Sequence, residues 1–548
     1  MLVLALTVAA LLPFVDKPFH VDDPLFIWSA EQIRSEPLNF YGTSVNWIGI
    51  KQPLSTITKN PPLVCYAIAA VSSLVGLGER ALHLAFLVPA VAATLGTWFL
   101  AARLGAPPTL AALALLASPV FLTSATSVMC DVPMLACFVW ALFFWVRGID
   151  ERRVGSLFVA SGLVAAAALS KYFAMALVPL LALYALWRER RIGVWCLALL
   201  PPLLVLAAYQ WGTSEFYGRG LLTDAAVFAS ASSNKSEGLL RETLVGLSFL
   251  GGCAATLLFF LPSLAPSRRW LAGGLVATGA LAIALPVLHT LAGYSLHAGT
   301  SVRWGPVLQV ALHAMVGLAA LGLALSDFAR RRSADSALLL AWVLGTFVFA
   351  AFVNWTANAR SILPLMPALA ILIARRLEQR GASPLARFLP LAPAAALALV
   401  VAFEDQHMAQ EARREADALH AAYASRPEQV WFKGHWGFQY YMQTHGFRAI
   451  DLTRTNLAPG DLIVQPFNNY NLFGVPESHA RRIQSFEEPR RLVAVMDRQL
   501  GAGFYSSLWG PLPYAFGRAT ADGYAIYETL QPTEFRLGPP GSSRTPVD

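Results

Sequence analysis

Between residues 81 and 403 the chain is an almost unbroken series of apolar stretches, at 81–102, 109–127, 132–146, 154–169, 172–187, 192–211, 243–263, 270–291, 305–326, 336–353, 361–374 and 386–403. About 20 apolar residues cross a bilayer as a helix, and a helix is the one open segment whose backbone needs no partner in hydrocarbon. With 56% hydrophobic and only 14% charged residues among 548, the chain has too much apolar surface for a soluble domain. The net charge of +8 does not point to nucleic acid. Its arginines cluster in the junctions, at Arg147/Arg152/Arg153, Arg188/Arg190/Arg191, Arg268/Arg269, Arg330–Arg332 and Arg375/Arg376/Arg380, as the positive-inside rule requires of cytosolic loops. An even number of spans separates consecutive clusters, so all five fit on one side.

The run Leu2–Phe14 is short for a span and lacks a basic flank, and it reads as a first crossing rather than a signal peptide. A polar loop follows. Parity then places Asp22 and Asp131 on the same outer side only if the helix opened by Pro61-Pro62, which ends near Gly78, lies along the surface or re-enters. About thirteen spans result, with a first outer loop over 15–80. Lys171, the stretch Gly212–Arg241, the stretch Gly293–Trp304 and Asn354–Arg360 share that outer side.

Past Glu404 charges become frequent and apolar runs shrink to strand length, at Val430–Phe432, Leu462–Val464 and Leu492–Val495, with helices near Gln406–Ser425 and Gly437–His445. The expected architecture is a polytopic α-helical membrane domain over 1–404 and a small outer α/β domain over 405–548. Its last ten or so residues, rich in Gly, Pro and Ser, read as disordered. The expected location is a bacterial-type inner (plasma) membrane. Five cysteines, none in a CxxC pair, read as small core hydrophobes. No internal repeat is evident.

Seven charged residues gather on the outer side: Asp22, Asp23, Lys59, Asp131, Lys171, Arg303 and Arg360. Each has an ordinary alternative. Asp22 and Asp131 stand where helix caps stand; Lys171 and Arg360 are long enough to snorkel; Arg303 beside Trp304 suits an interfacial anchor; Lys59 suits a solvated loop. None of these alternatives requires a shared side, whereas a site does. Carboxylates beside cations at a membrane edge suit a reaction in which an acid takes a proton from an acceptor while cations stabilise a departing phosphate. His20 and His297 belong to no HxxxH or HExxH pattern, so a protein-built metal site has little support, and a divalent ion held by Asp22 and Asp131 stays open. Trp28, Phe40, Tyr41 and Trp47 suit an interfacial belt or a groove for a sugar ring or lipid chain.

Val21-Asp22-Asp23-Pro24-Leu25-Phe26, Lys59-Asn60-Pro61-Pro62-Leu63, Asp131-Val132-Pro133-Met134-Leu135, Leu169-Ser170-Lys171 and Ala359-Arg360-Ser361-Ile362-Leu363-Pro364 follow one another in an order that resembles the landmarks of GT-C glycosyltransferases. The protein O-mannosyltransferases and the lipid A aminoarabinose transferases are the most similar subgroup. The resemblance implies transfer of a sugar, with inversion, from a polyprenyl-phosphate carrier to a protein, lipid or glycan acceptor outside the cytoplasm. By the same resemblance Asp22 is the general base, Asp23 and Asp131 complete an acidic pocket, and Lys59, Lys171 and Arg360 contact the carrier phosphate; Arg303, from its charge on that side, joins them as a candidate donor-phosphate contact. Two positions depart from the pattern: the second acid, often Glu, is Asp23, and Asn60 separates Lys59 from the Pro pair. Two other classes remain: a transporter or flippase of a lipid-linked or anionic solute, which would carry its charges mid-membrane on broken helices, and a non-catalytic envelope protein, in which the acids and cations would lie far apart.

Overall fold

The computed structural model describes residues 1–231, 238–287, 291, 293–294, 296–298, 301–470, 472, 474 and 478–535. The expected disordered tail lies mainly outside them. Among the described residues, eight helices are long and apolar enough to cross a membrane, from Glu79–Arg103 to Pro384–Tyr423. Two bent pairs raise the number to ten. The thirteen expected crossings require in addition the shorter helices Leu2–Leu11, Val154–Ser170 and Met366–Gln379. The helix after Pro61-Pro62 is Leu63–Val75, 13 residues, too short to span. The expected loop Gly212–Arg241 is in good part helical: one helix runs on to Tyr217 and another covers Leu221–Ala231.

Proline placement explains much of this. Pro24, Pro119, Pro201 and Pro367 each sit in the first turn of a helix, where a missing N–H costs nothing. Pro119 also forces Ser118 into an extended conformation, and the helices Pro108–Leu116 and Pro119–Ala125 meet at 68°. The second of these is wholly buried, and it carries the chain inward to the turn before Asp131.

The helices pack closely enough to need glycine. A Cβ on Gly251 would stand 1.7 Å from the His313 carbonyl oxygen, and one on Gly317 2.2 Å from that of Leu247, so Leu239–Cys253 and Trp304–Arg331 cross backbone to backbone. Faces that meet no neighbour stay apolar, as at Leu275, Val276 and Ile283. At the end rich in arginine, charges are paired: Arg103 and Arg153 with Glu151, Arg188 with Asp150, and the buried Arg375 with Asp327 at 2.9 Å.

The C-terminal region is α/β, as expected. A five-stranded sheet runs in the order Arg448–Ala449, Val430–Phe432, Leu462–Pro466, Gly523–Thr529, Ala480–Glu487. The first three strands are parallel and the last two join antiparallel. The helix Trp436–Thr444 makes the crossover between the two parallel strands beside it. The 33-residue helix Leu391–Tyr423 begins among apolar residues and continues without a break into the sheet's core, where Ala416 and Leu419 pack with Phe432, Val464 and Ile526.

Candidate active site

The site is assembled where the first loop turns into the helix Asp23–Ser35. Val21 has φ +46°, a costly conformation for a β-branched residue. Asp23 holds the turn: its Oδ2 accepts from the His20 N–H at 2.8 Å and its Oδ1 from the Val128 N–H at 2.9 Å. Asp23 is fully buried, and it clamps the loop to the turn before Asp131. Asp22, next to it, occupies the N-cap position yet makes no side-chain cap bond. Its Oδ2 accepts instead from Arg360 Nη2 at 2.7 Å. At 27% exposure Asp22 is the reachable carboxylate, whereas Asp131 is 2% exposed.

Asp131 is the first residue of the helix Asp131–Asp150, and no cap bond forms from Cys130 before it. Lys171, turned out of the end of Val154–Ser170 by an extended backbone, places Nζ 2.5 Å from Asp131 Oδ1. Arg360 is held in a one-turn helix that Asn358 caps through the Ser361 N–H at 2.8 Å. Its Nη1 donates to the Met129 sulfur at 2.9 Å and lies 3.8 Å from Asp131 Oδ2. Arg360 Nε and Asp131 Oδ2 are buried without hydrogen-bond partners, so the cluster retains a spare donor and a spare acceptor. Two carboxylates and two cations from four separate segments thus form one neutral ionic cluster at helix ends.

Three further residues complete its support, and sequence reasoning passed over them. Lys17 and Asp405 are fully buried and paired at 2.5 Å across 388 positions. The Tyr505 hydroxyl donates to Asp405 at 2.9 Å, and its ring lies beneath the Arg360 guanidinium at 5.4 Å. His20 stacks edge-on against the same ring, with Nε2 3.5 Å from Asp405. The second strand of contact is backbone: Ala359 N–H donates to Phe504 at 2.9 Å, and Ser507 N–H to Ala357 at 2.8 Å. Lys17 beside the acidic motif was the one available signal, a lysine next to an apolar run.

Burial pushes the Asp23 carboxyl up to about 7, against the opposing pull of Lys17 and its two backbone bonds, while Asp405 adds to the rise. A carboxyl raised above its unfolded value of 3.8 favours the native state most below that value and loses the benefit as pH rises through about 7. Melting curves of the wild type and Asp23→Asn should therefore diverge, the wild type losing at least roughly 2–4 °C relative to the variant between pH 4 and 7.5. A constant difference would mean that Asp23 does not titrate there.

Lys59 and Arg303 make no direct contact with the four-residue cluster. Lys59 pairs with Asp224 at 2.5 Å and lies over the Phe228 ring, which in turn meets Trp355. Arg303 donates to the Gln499 carbonyl at 2.6 Å. Among the described residues no three His, Cys, Asp or Glu side chains converge as a metal site. Between Asp22 and Asp131 stands the Arg360 guanidinium, where a divalent ion would have to sit.

Several solved structures have a similar course of chain. ArnT from Cupriavidus metallidurans bound to undecaprenyl phosphate is 16% identical, with a TM-score of 0.45 over 85% of this chain and 92% of that one. The Archaeoglobus fulgidus oligosaccharyltransferase with Zn and sulfate is 13% identical, with a TM-score of 0.47 over 84% of this chain and 67% of that one. At such scores no residue role passes from them to this chain. No curated protein matches the sequence. Residues 59–210, from Lys59 through Asp131 and Lys171 into the following span, match the family model described as dolichyl-phosphate-mannose-protein mannosyltransferase, and over that stretch the chain resembles this family.

Proposed function

We propose that the protein is an inverting glycosyltransferase that moves a sugar from a polyprenyl-phosphate carrier to a hydroxyl or phosphate acceptor at the extracytoplasmic face of a plasma membrane. The observation that carries the reading is the convergence of Asp22, Asp131, Lys171 and Arg360 at helix ends, with Asp22 alone among the acids open to a ligand. Charges at helix ends count against a transporter, which would carry them mid-span. The positive-inside rule supports the outer side: Asp131 begins a helix with Arg147 in its last turn, and Lys171 precedes one with Arg188 in its last turn.

The geometry suggests how the steps are coupled. A carrier phosphate entering the cluster competes with Asp22 for Arg360. As the guanidinium turns to the phosphate, Asp22 loses its ion partner and becomes a better base. The acceptor oxygen then bonds to the anomeric carbon from the face opposite the phosphate and gives its proton to Asp22, while the bond from that carbon to the phosphate oxygen breaks and the electron pair leaves with the phosphate. Arg360 and Lys171 hold the growing charge, and Asp131 fixes both cations; positioning and electrostatics supply the acceleration. Lys59 and Arg303, held by Asp224 and by the Gln499 carbonyl, have no part in this step.

The test is turnover of a radiolabelled polyprenyl-phosphate sugar by the purified protein in lipid nanodiscs. Arg360→Ala is expected to raise the donor KM at least about tenfold, the scale of a lost charge-assisted contact. Donor release that needs neither Arg360 nor Lys171 would remove the phosphate assignment.

A further inference from the structure

An open groove of about 940 Å³ lies between the helix Asp23–Ser35 and the C-terminal sheet. One wall is a stripe of that helix: Trp28, Glu31, Gln32 and Ser35 follow at helical spacing on a single face. The other comes from Trp431, Arg448, Asp451 and Asn456 of the C-terminal domain. The hairpin Ser44–Pro53 forms the floor, tied to the domain where the Asn46 amide donates to the Ile450 carbonyl at 3.0 Å and the Leu452 N–H to the Gly49 carbonyl at 2.8 Å.

Resting on the reading of the enzyme given above, we propose that this groove binds the acceptor, and that the acceptor is a carbohydrate. Trp28 and Trp431 line opposing walls and give aromatic surface to the C–H faces of sugar rings, with the Arg448 guanidinium 5.4 Å over the Trp431 ring. Amide, carboxylate and guanidinium groups between them present the planar donors and acceptors that ring hydroxyls pair with. Charges of both signs, Glu31 and Asp451 against Lys51, Arg448 and Arg454, suit a neutral polar ligand and repel an acyl chain. A peptide would add to the edge strand Arg448–Ala449, which is only two residues long. The groove shares its helix with the site: Trp28 lies six positions along it from Asp22, about 9 Å of axial rise.

The experiment is binding to the full-length protein in nanodiscs, read by tryptophan fluorescence and calorimetry. The probes are linear oligomers of glucose, mannose and N-acetylglucosamine of three to six units, with Ser/Thr-rich decapeptides alongside. At least one sugar series is expected to bind saturably, with affinity lowered about tenfold by Trp28→Ala and by Arg448→Ala. Arg448 is exposed, so its variant folds even if loss of Trp28, which packs on Trp47 and Tyr440, does not leave an intact protein. Absence of sugar binding, sugar binding indifferent to Arg448, or peptide binding that depends on Arg448 would each overturn the proposal. Asp22-dependent transfer without sugar binding would sink the groove alone, and sugar binding with undiminished transfer by Asp22→Asn would sink the transferase reading instead.

Discussion

Asp22→Asn is expected to slow sugar transfer about 10²–10⁴-fold, the range that a positioned general base supplies, while the protein folds and binds donor normally. Asparagine keeps the size and the N-cap position and removes only the charge and the proton affinity. Asp22 makes no cap bond to lose, and its ion pair with Arg360 is partly open to solvent, so the cost in stability stays within about 1 kcal/mol. Freed from Asp22, Arg360 meets the carrier phosphate without competition, and donor affinity should hold or rise. Initial rates and donor binding measured on one preparation separate the two effects. An asparagine variant that transfers at the wild-type rate would remove Asp22 as the base.

The second large effect belongs to stability. Asp405→Ala should cost about 3–5 kcal/mol, because it strands the buried ammonium of Lys17 and deprives the Tyr505 hydroxyl of its acceptor. Replacing the pair together, Lys17→Met with Asp405→Leu, should recover most of that loss, since two apolar side chains need no desolvation to be offset. Thermal unfolding of the single and double variants in the same lipid measures both. A single variant as stable as the wild type would mean that the two charges do not meet.

The convergence of four charges was readable in the sequence where charge and topology acted together. Asp22, Asp131, Lys171 and Arg360 each interrupt or border an apolar run, and shared parity was enough to group them. Parity says nothing about distance, however. Lys59 and Arg303 belong to the same group by that criterion, yet one pairs with Asp224 and the other donates to the Gln499 carbonyl. Asp23 looked like half of an acidic pair, and both of its oxygens serve backbone N–H groups. Asp405 and Tyr505 lie in unremarkable surroundings, and only a tertiary fold brings them to Lys17. The strands Val430–Phe432 and Leu462–Pro466 were readable as short apolar runs, whereas Ala480–Glu487, an exposed edge full of polar side chains, carries no alternation that would betray it.

Tyr505 supports Arg360 from a position 145 residues further on, so the guanidinium has no floor until that part of the chain exists. While the chain is still being made, the segments that carry Asp22, Asp131, Lys171 and Arg360 are all complete before the ring that lies beneath the guanidinium. A chain cut short before this tyrosine is expected to keep the contacts of Arg360 with Asp22, Met129 and Asp131 and to lose the aromatic ring beneath it.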